Sequence, residues 1–177
     1  MNTDSRLMDM LTGYAAAHQH PVNIAVHLIG VPTIMLGVFL PMTWLAVDIA
    51  GVAVNLAQIV LFAIFLFYLT LDRIFAVVFL VFAIAIAELA AFLGGYPQPT
   101  AMIIAAVAFI GGYAAQFVGH AIEKSMPVLL KHPIQAHLAA PFFTIVEVFK
   151  LLGLREALFA EVQKRIAELR EEQTAAG

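Results

Sequence analysis

The chain has 177 residues, of which 63% are hydrophobic and 12% are charged, with a formal net charge of -3 and no cysteine. A typical soluble domain is about 45–50% apolar and about 25% charged, so this composition excludes an ordinary water-soluble globule, a disordered chain and a nucleic-acid-binding protein. The lack of cysteine excludes a disulfide framework, a thiolate metal site and a cysteine nucleophile. The composition therefore predicts one compact membrane domain.

Long apolar runs fill the middle of the chain, and each is close to the roughly 20 residues that a membrane-spanning helix needs. The runs predicted to span are residues 23–47, 51–71, 74–93 and 100–118. Two prolines, Pro32 and Pro41, interrupt the first run and predict a kink or a ragged outer end. Small residues in the first and fourth runs favour close helix packing, namely Gly30, Gly37, Gly111 and Gly112.

The last part of the chain differs from the rest. A fifth apolar run, residues 134–152, carries His137, Pro141, Glu147 and Lys150, so we expect a re-entrant or interfacial segment. From Gly153 onward the sequence is highly charged, with apolar residues at three- and four-residue spacings. This pattern predicts an amphipathic helix that lies on the membrane surface or on the rest of the protein. The predicted units are therefore a membrane domain, residues 1–152, and a cytoplasmic helix and tail, residues 153–177.

The basic residues predict the topology. With four spans, all nine lysines and arginines fall on the side of the two termini, and the two opposite loops carry none. This distribution puts both termini in the cytoplasm. We therefore expect a multi-pass integral membrane protein, of the inner membrane in a bacterium or of the endoplasmic reticulum in a eukaryote.

All six histidines fall at the cytoplasmic end of the predicted bundle, because an even number of crossings separates their two clusters. A chain break before Pro21, with Asn23 as the expected helix N-cap, would let His18 fold back towards His27. Neutral imidazoles suit iron, zinc or copper, and an added carboxylate suits Fe(II). The alternative is that these histidines are interfacial residues held by backbone carbonyls. The six are His18, His20, His27, His120, His132 and His137.

The second histidine cluster includes a patterned helix face. Gln116, His120 and Glu123 have the spacing i, i+4, i+7 and therefore share one face. Glu123 is expected either to be a fourth metal ligand or to orient His120 or a water without binding the metal itself. The next residue, Lys124, is expected to bind either a lipid headgroup or a substrate carboxylate.

Two segments carry a family resemblance: residues 14–34, with the pattern H…P-N…H…VPTI, and residues 116–127, with QF-x-GH-x-x-E-K…P, followed by Gln135 and residues 138–143. Together they resemble the fungal and bacterial family of 2-hydroxy fatty acid dioxygenases. The resemblance implies a Fe(II)-dependent oxygenase of fatty acid α-oxidation that shortens a 2-hydroxy acyl chain by one carbon. A 2-hydroxy acid could chelate one iron through its carboxylate and hydroxyl, and O₂ would be the second substrate.

The resemblance also implies the site residues. It gives His18, His27 and His120 as metal ligands, whereas His20, His132 and His137 fall where relatives carry other residues. Further expected site residues are Asn23, Gln116 and Glu123 in catalysis and Tyr14, Lys124 and Gln135 in substrate binding. Expected partners are Fe²⁺, the 2-hydroxy fatty acid, O₂ and membrane lipid, with homo-oligomer formation left open. Two other functions compete, namely a non-enzymatic membrane lipid-binding protein and a b-type haem protein with His27 and His120 as axial ligands.

Overall fold

Helices make up most of the computed structural model, which describes residues 3–16, 18–131 and 133–175. Within these residues four helices, Pro21–Met42, Arg73–Gly94, Gln98–Glu123 and Pro133–Leu151, are long and apolar enough to cross a membrane, which confirms the predicted helical membrane bundle. In chain order the elements are α1 (Thr3–Ala16), α2 (Pro21–Met42), β1 (Ala46–Ile49), β2 (Val52–Asn55), α3 (Leu56–Leu69), α4 (Arg73–Gly94), α5 (Gln98–Glu123), α6 (Val128–Lys131), α7 (Pro133–Leu151) and α8 (Glu156–Ala175).

The second predicted span is shorter in the structure than residues 51–71. Strands β1 and β2 form an antiparallel hairpin whose two turn residues, Ala50 and Gly51, have φ values of 55 and 84 degrees. Helix α3 then begins at Leu56, where Asn55 and Gln58 form a reciprocal capping box. Its 14 residues extend about 21 Å, which is short of the roughly 30 Å of a bilayer core. The bounds predicted for the second span were therefore wrong, because its helical part covers only residues 56–69, and α7, expected to be re-entrant or interfacial, has the length and composition of a span.

Helices α2 and α5 pack antiparallel at very close range because glycines line their contact. A Cβ placed on Gly37 would lie 2.6 Å from the backbone nitrogen of Phe109, and one on Gly112 would lie 2.6 Å from Cγ1 of Ile34. The predicted close packing is confirmed at these positions and at Gly30, but Gly111 faces open space. Gly119, not predicted, lies against the Asn23 side chain. This contact brings the start of α2 beside the end of α5.

Helix α1 was not predicted, yet it supplies part of the core. Its Leu7 and Leu11 lie in the same buried cluster as Val162 and Ile166 of α8. Arg165 of α8 donates a 2.8 Å hydrogen bond to the Asp9 carboxylate of α1. The amphipathic helix predicted after Gly153 is thus present, and the central part of its apolar stripe packs on the protein.

Helix α7 packs against the corner where α3 ends and α4 begins. The Tyr68 hydroxyl donates a 2.6 Å hydrogen bond to the backbone carbonyl of Leu138. The Phe142 ring lies between the rings of Tyr68 and Phe75, with centroid distances of 4.8 and 5.5 Å. Further along α7, the Phe149 ring lies 5.0 Å from that of Phe75. Much of α7 is therefore held against one end of the bundle, the end at which α2 begins and α5 finishes.

Candidate metal centre

Three buried histidines converge where α1, α2 and α5 meet. His18 lies in the α1–α2 connection, His27 near the start of α2 and His120 in the last turn of α5. Their exposed fractions are 2%, 5% and 4%. One ring nitrogen from each lies within 4.8 Å of the others, and no other such group is found in the part of the chain that the structure describes. The three histidines that the resemblance implied as ligands therefore do come together.

Hydrogen bonds fix which nitrogen of two of these rings faces the centre. Nδ1 of His18 donates to the Tyr14 carbonyl at 2.8 Å, and Nδ1 of His27 donates to the Asn23 carbonyl at 2.9 Å. Both Nε2 atoms are therefore unprotonated in the neutral rings, yet they lie 3.2 Å apart. Two lone pairs facing each other repel unless a cation lies between them.

The spacing suits a shared metal ion. Two imidazole nitrogens that each bind one ion at about 2.0–2.1 Å lie about 2.9–3.4 Å apart in octahedral or tetrahedral geometry. The 3.2 Å between Nε2 of His18 and Nε2 of His27 falls within that range. Backbone carbonyls that accept from the outer nitrogens are also usual around metal-binding histidines. The donor set thus fits a metal, and a three-histidine group with open positions is typical of iron, zinc or copper sites.

Neighbouring side chains hold the rings in place. The Tyr14 ring stacks on the His18 ring at a centroid distance of 4.0 Å, and Nδ1 of His120 pairs with the Ser125 hydroxyl at 2.9 Å. Burial, and next the neighbouring His27, lower the pKa of His18 to about 3. His18 is therefore neutral at physiological pH, which is the form that binds metals.

Glu123 holds the histidine-bearing loop. Its Oε1 accepts the backbone N–H groups of Gln19 at 2.6 Å and His20 at 3.1 Å, while its Oε2 accepts the Asn23 side-chain amide. These bonds go to N–H donors of the protein, and the group of potential metal ligands found among the described residues consists of the three histidines without Glu123. The expected chain break before Pro21 is present, but the N-cap of α2 is His20. The expectation that Asn23 is the cap was wrong, because its side chain faces Glu123.

An apolar cavity of about 210 Å³ opens from the three histidines. Tyr14 and Gln116, both expected at the site, line its polar end beside His120. Two residues expected to contact the substrate, Lys124 and Gln135, do not line the cavity. Lys124 is exposed at the left-handed end of α5, with a φ of 56 degrees, and Gln135 lines a separate surface depression. His132 lies outside the described residues.

The cavity wall contains a polar pair, Tyr113 and His137, that was not predicted from the sequence. The Tyr113 hydroxyl donates to Nε2 of His137 at 2.5 Å, and Nδ1 of His137 donates to the Pro133 carbonyl at 2.6 Å. Both side chains line the cavity, although His137 was set aside by the resemblance. Tyr113 precedes His120 by two helical turns, so helix periodicity could have placed it on the same face.

Comparison with known proteins agrees with this geometry. A family model described as "2-hydroxy-palmitic acid dioxygenase Mpo1-like" matches residues 5–152. The chain belongs to the Mpo1-like family. It is similar to the 2-hydroxy-palmitic acid dioxygenase MPO1 of Saccharomyces cerevisiae, with 28% identity over 160 residues, covering 89% of this chain and 87% of the yeast protein. No solved structure matches the chain. The matched region includes all three histidines and ends before α8, so the resemblance seen in the sequence is confirmed.

Proposed function

We propose that the protein is a membrane-embedded, Fe(II)-dependent dioxygenase that converts a 2-hydroxy fatty acid to the fatty acid one carbon shorter. The observation that carries the proposal is the convergence of three buried imidazoles, with two Nε2 atoms 3.2 Å apart, at the polar end of an apolar cavity. Membership of a family named for a 2-hydroxy-palmitic acid dioxygenase supports the class of substrate.

The proposed reaction is R-CH(OH)-COOH + O₂ → R-COOH + CO₂ + H₂O. The bond between C1 and C2 breaks, C1 leaves as CO₂, and C2 becomes the carboxyl carbon of the product. The substrate supplies all four electrons that reduce O₂, so the balance needs no external reductant. The 2-hydroxyl is essential because, without it, C2 is too reduced for one O₂ to complete the conversion.

His18, His27 and His120 would hold the iron through their Nε2 atoms. When bound, the iron would supply a Lewis acid for the 2-hydroxy carboxylate and a redox centre for the reaction with O₂. Asn23 and Glu123 act on the protein side by fixing the loop that carries His18 and the first turn of α2.

The rest of the site would bind the substrate. The Gln116 amide lines the cavity beside His120 and is placed to donate a hydrogen bond to a carboxylate there. The apolar walls would take the alkyl chain and keep water from the reacting carbon. We assign no substrate contact to Lys124 or Gln135, because neither lines the cavity.

The haem alternative is disfavoured by the position of His18. A bis-histidine haem needs a porphyrin between His27 and His120, but the His18 ring lies 4.4 and 4.8 Å from those two rings. The third imidazole therefore occupies space that the porphyrin would need. The lipid-binding alternative predicts a protein that binds fatty acids without metal and without turnover.

The test is made on protein purified in detergent without chelators and loaded anaerobically with Fe(II). On addition of O₂ and 2-hydroxypalmitic acid, we expect the C15 acid and CO₂, with one O₂ consumed per acid and no added reductant. Palmitic acid should be inert. Turnover of palmitic acid at a similar rate would indicate a hydroxylase, and fatty-acid binding with neither metal nor turnover would support the lipid-binding alternative.

Matched variants connect the reaction to the three histidines. His120→Ala should lose most of the bound iron and the activity. His137→Ala should keep the iron, because His137 lines the same cavity but its Nε2 is engaged by Tyr113. Full iron occupancy in His120→Ala, measured by elemental analysis, would refute the ligand assignment.

A further inference from the structure

We infer that the 2-hydroxy acid enters the cavity from the side, out of the lipid bilayer, through a window between α5 and α7. The window is bounded by Tyr113 and Phe117 of α5 and by His137 of α7. The hydrogen bond between Tyr113 and His137 spans the window and must open when the acid passes. The inference rests on the proposed function and assigns these three residues a role in substrate entry that neither the sequence nor the comparisons give them.

The cavity is too small to enclose a long-chain acid. Its volume is about 210 Å³, whereas pockets that enclose a drug-sized ligand measure about 300–1,000 Å³. Because the carboxylate and the 2-hydroxyl must lie at the three histidines, the far part of a long alkyl chain has to leave the cavity through an opening. An opening towards lipid keeps that part of the chain in apolar surroundings, whereas an opening towards water would expose it.

The exposure of the lining residues places the opening between α5 and α7. Among the described residues that line the cavity, the exposed ones are Phe117, which is 43% exposed, and His137. The lining residues on α2 and α3 are buried or half-buried. Helices α5 and α7 each pack against α2, and neither packs along the other. The two helices therefore leave a gap between them at the level of the cavity.

The surface around the window is apolar, so it faces lipid rather than water. Ile110 and Val118 of α5 are 65% and 57% exposed, and Ile134 of α7 is 78% exposed. Phe117 precedes His120 by three residues, which is about 4.5 Å along the helix axis. The window therefore lies at nearly the same depth as the three histidines, where an acid headgroup coming from the adjacent leaflet has a short path to them.

One hydrogen bond crosses the window. Among the described residues, the bond that joins α5 to α7 is the 2.5 Å bond from the Tyr113 hydroxyl to Nε2 of His137. Nδ1 of His137 donates to the Pro133 carbonyl, so Nε2 is the acceptor. A single neutral hydrogen bond contributes little net free energy and can break and re-form as the acid passes. Because the bond exists with and without the acid, its loss should change the rates of entry and release but not the affinity.

The first experiment removes this bond with Tyr113→Phe, which keeps the ring. Radiolabelled 2-hydroxypalmitic acid is bound to anaerobic, Fe(II)-loaded protein in lipid nanodiscs and is then displaced by an excess of unlabelled acid. The rate of release should rise about two- to ten-fold, as expected for one lost hydrogen bond, while Kd and the iron content keep their wild-type values. His137→Ala should have the same effect. Tyr96→Phe is the matched control and should keep the wild-type rate, because Tyr96 lies between α4 and α5 and does not line the cavity.

The second experiment locates the alkyl chain. Since the chain has no cysteine, Phe117→Cys and Val118→Cys each carry a single thiol. Val118 is the matched control because it is the neighbouring residue, is exposed and does not line the cavity. A saturating concentration of 2-hydroxypalmitic acid should abolish the labelling of Phe117→Cys by a lipid-soluble maleimide. The labelling of Val118→Cys should not change.

The outcomes separate this inference from the proposed function. The inference stands if a folded variant of the Tyr113–His137 pair releases the acid faster at unchanged Kd and if the acid protects Phe117→Cys but not Val118→Cys. If neither variant of the pair folds, the protection of Phe117→Cys decides.

The inference is overturned if a folded variant of the pair releases the acid at the wild-type rate, or faster only in proportion to a higher Kd. It is also overturned if Tyr96→Phe releases the acid equally fast, or if Phe117→Cys and Val118→Cys are labelled alike in the presence of the acid. In these cases wild-type turnover of 2-hydroxy acids would leave the proposed function intact. A wild-type protein that binds no 2-hydroxy acid would overturn both.

Discussion

Replacement of Gly37 by alanine should separate α2 from α5, whereas the same change at Gly111 should not. A Cβ on Gly37 would lie 2.6 Å from the Phe109 nitrogen, 2.9 Å from the Ala105 oxygen and 2.9 Å from the Phe109 Cα. All three are backbone atoms, so no side chain can rotate away. To restore a normal contact of about 3.4 Å, the helices must move apart by about 0.8 Å, and such overpacking costs about 1–3 kcal/mol.

The control variant, Gly111→Ala, is expected to change stability in the opposite direction. A Cβ on Gly111 meets nothing within 4 Å, so Gly111→Ala gains about 0.5–1 kcal/mol from the lower backbone entropy of alanine in a helix. Unfolding of the two variants is measured by circular dichroism in detergent, with denaturant or heat. We expect Gly37→Ala to be less stable than the wild type and Gly111→Ala to be at least as stable. Equal stabilities of the two variants would refute the close contact between α2 and α5.

Three further predictions concern the metal centre. Glu123→Gln should weaken metal binding about 10- to 100-fold in a metal titration, because a neutral amide holds the loop less firmly; unchanged affinity would contradict this role. Ser125→Ala should also weaken metal binding, because Nδ1 of His120 loses its hydrogen bond with the Ser125 hydroxyl, while the circular dichroism spectrum should stay unchanged. In metal-free protein the pKa of His18 is lowered from 6.5 to about 3. At acidic pH the unfolded chain therefore binds a proton on His18 that the folded chain excludes. As the pH falls from 7 to 5, this difference should lower the free energy of unfolding by up to about 2 kcal/mol. The variant His18→Gln should lack this pH-dependent loss of stability.

The histidine cluster could be predicted because two simple constraints determine it. In the predicted topology an even number of crossings brings the start of the first span and the end of the fourth to one depth, and the chain break before Pro21 lets His18 reach His27. Both constraints are visible in one sequence. The fourth predicted span was set to end at residue 118, but α5 continues to Glu123 and carries His120 in its last turn.

The remaining features depend on contacts that no local pattern encodes. The β1–β2 hairpin needs positive φ at Ala50, a residue type that rarely adopts it, so the turn was not predicted. Helix α1 is polar and mixed in sequence, and it is stabilised by packing rather than by an apolar run. The Tyr113–His137 pair depends on where α7 packs, and the sequence left that open.

The contacts of α7 favour its interpretation as an interfacial helix, although it has the length of a span. Leu138 and Phe149 are eleven residues apart, about 16 Å along the helix, yet both contact residues that flank the α3–α4 corner. Just beyond α7, Arg155 donates a 2.7 Å hydrogen bond to Asp72 in that same corner. A helix that crossed the membrane alongside α4 would leave this corner within a few turns. We therefore expect the chain to cross with α2, α3, α4 and α5 and to return both termini to the cytoplasmic side.

The lack of native cysteine makes this topology directly testable, since single-cysteine variants carry no background. Three exposed positions are suitable: Tyr96 between α4 and α5, Met126 before α7 and Glu161 in α8. A membrane-impermeant maleimide added to intact cells or sealed vesicles should label Tyr96→Cys from one side, and Met126→Cys and Glu161→Cys from the other. If α7 crosses the membrane, Met126→Cys and Glu161→Cys must label from opposite sides. That result would move α8 across the membrane and would contradict the positive-inside distribution from which the topology was predicted.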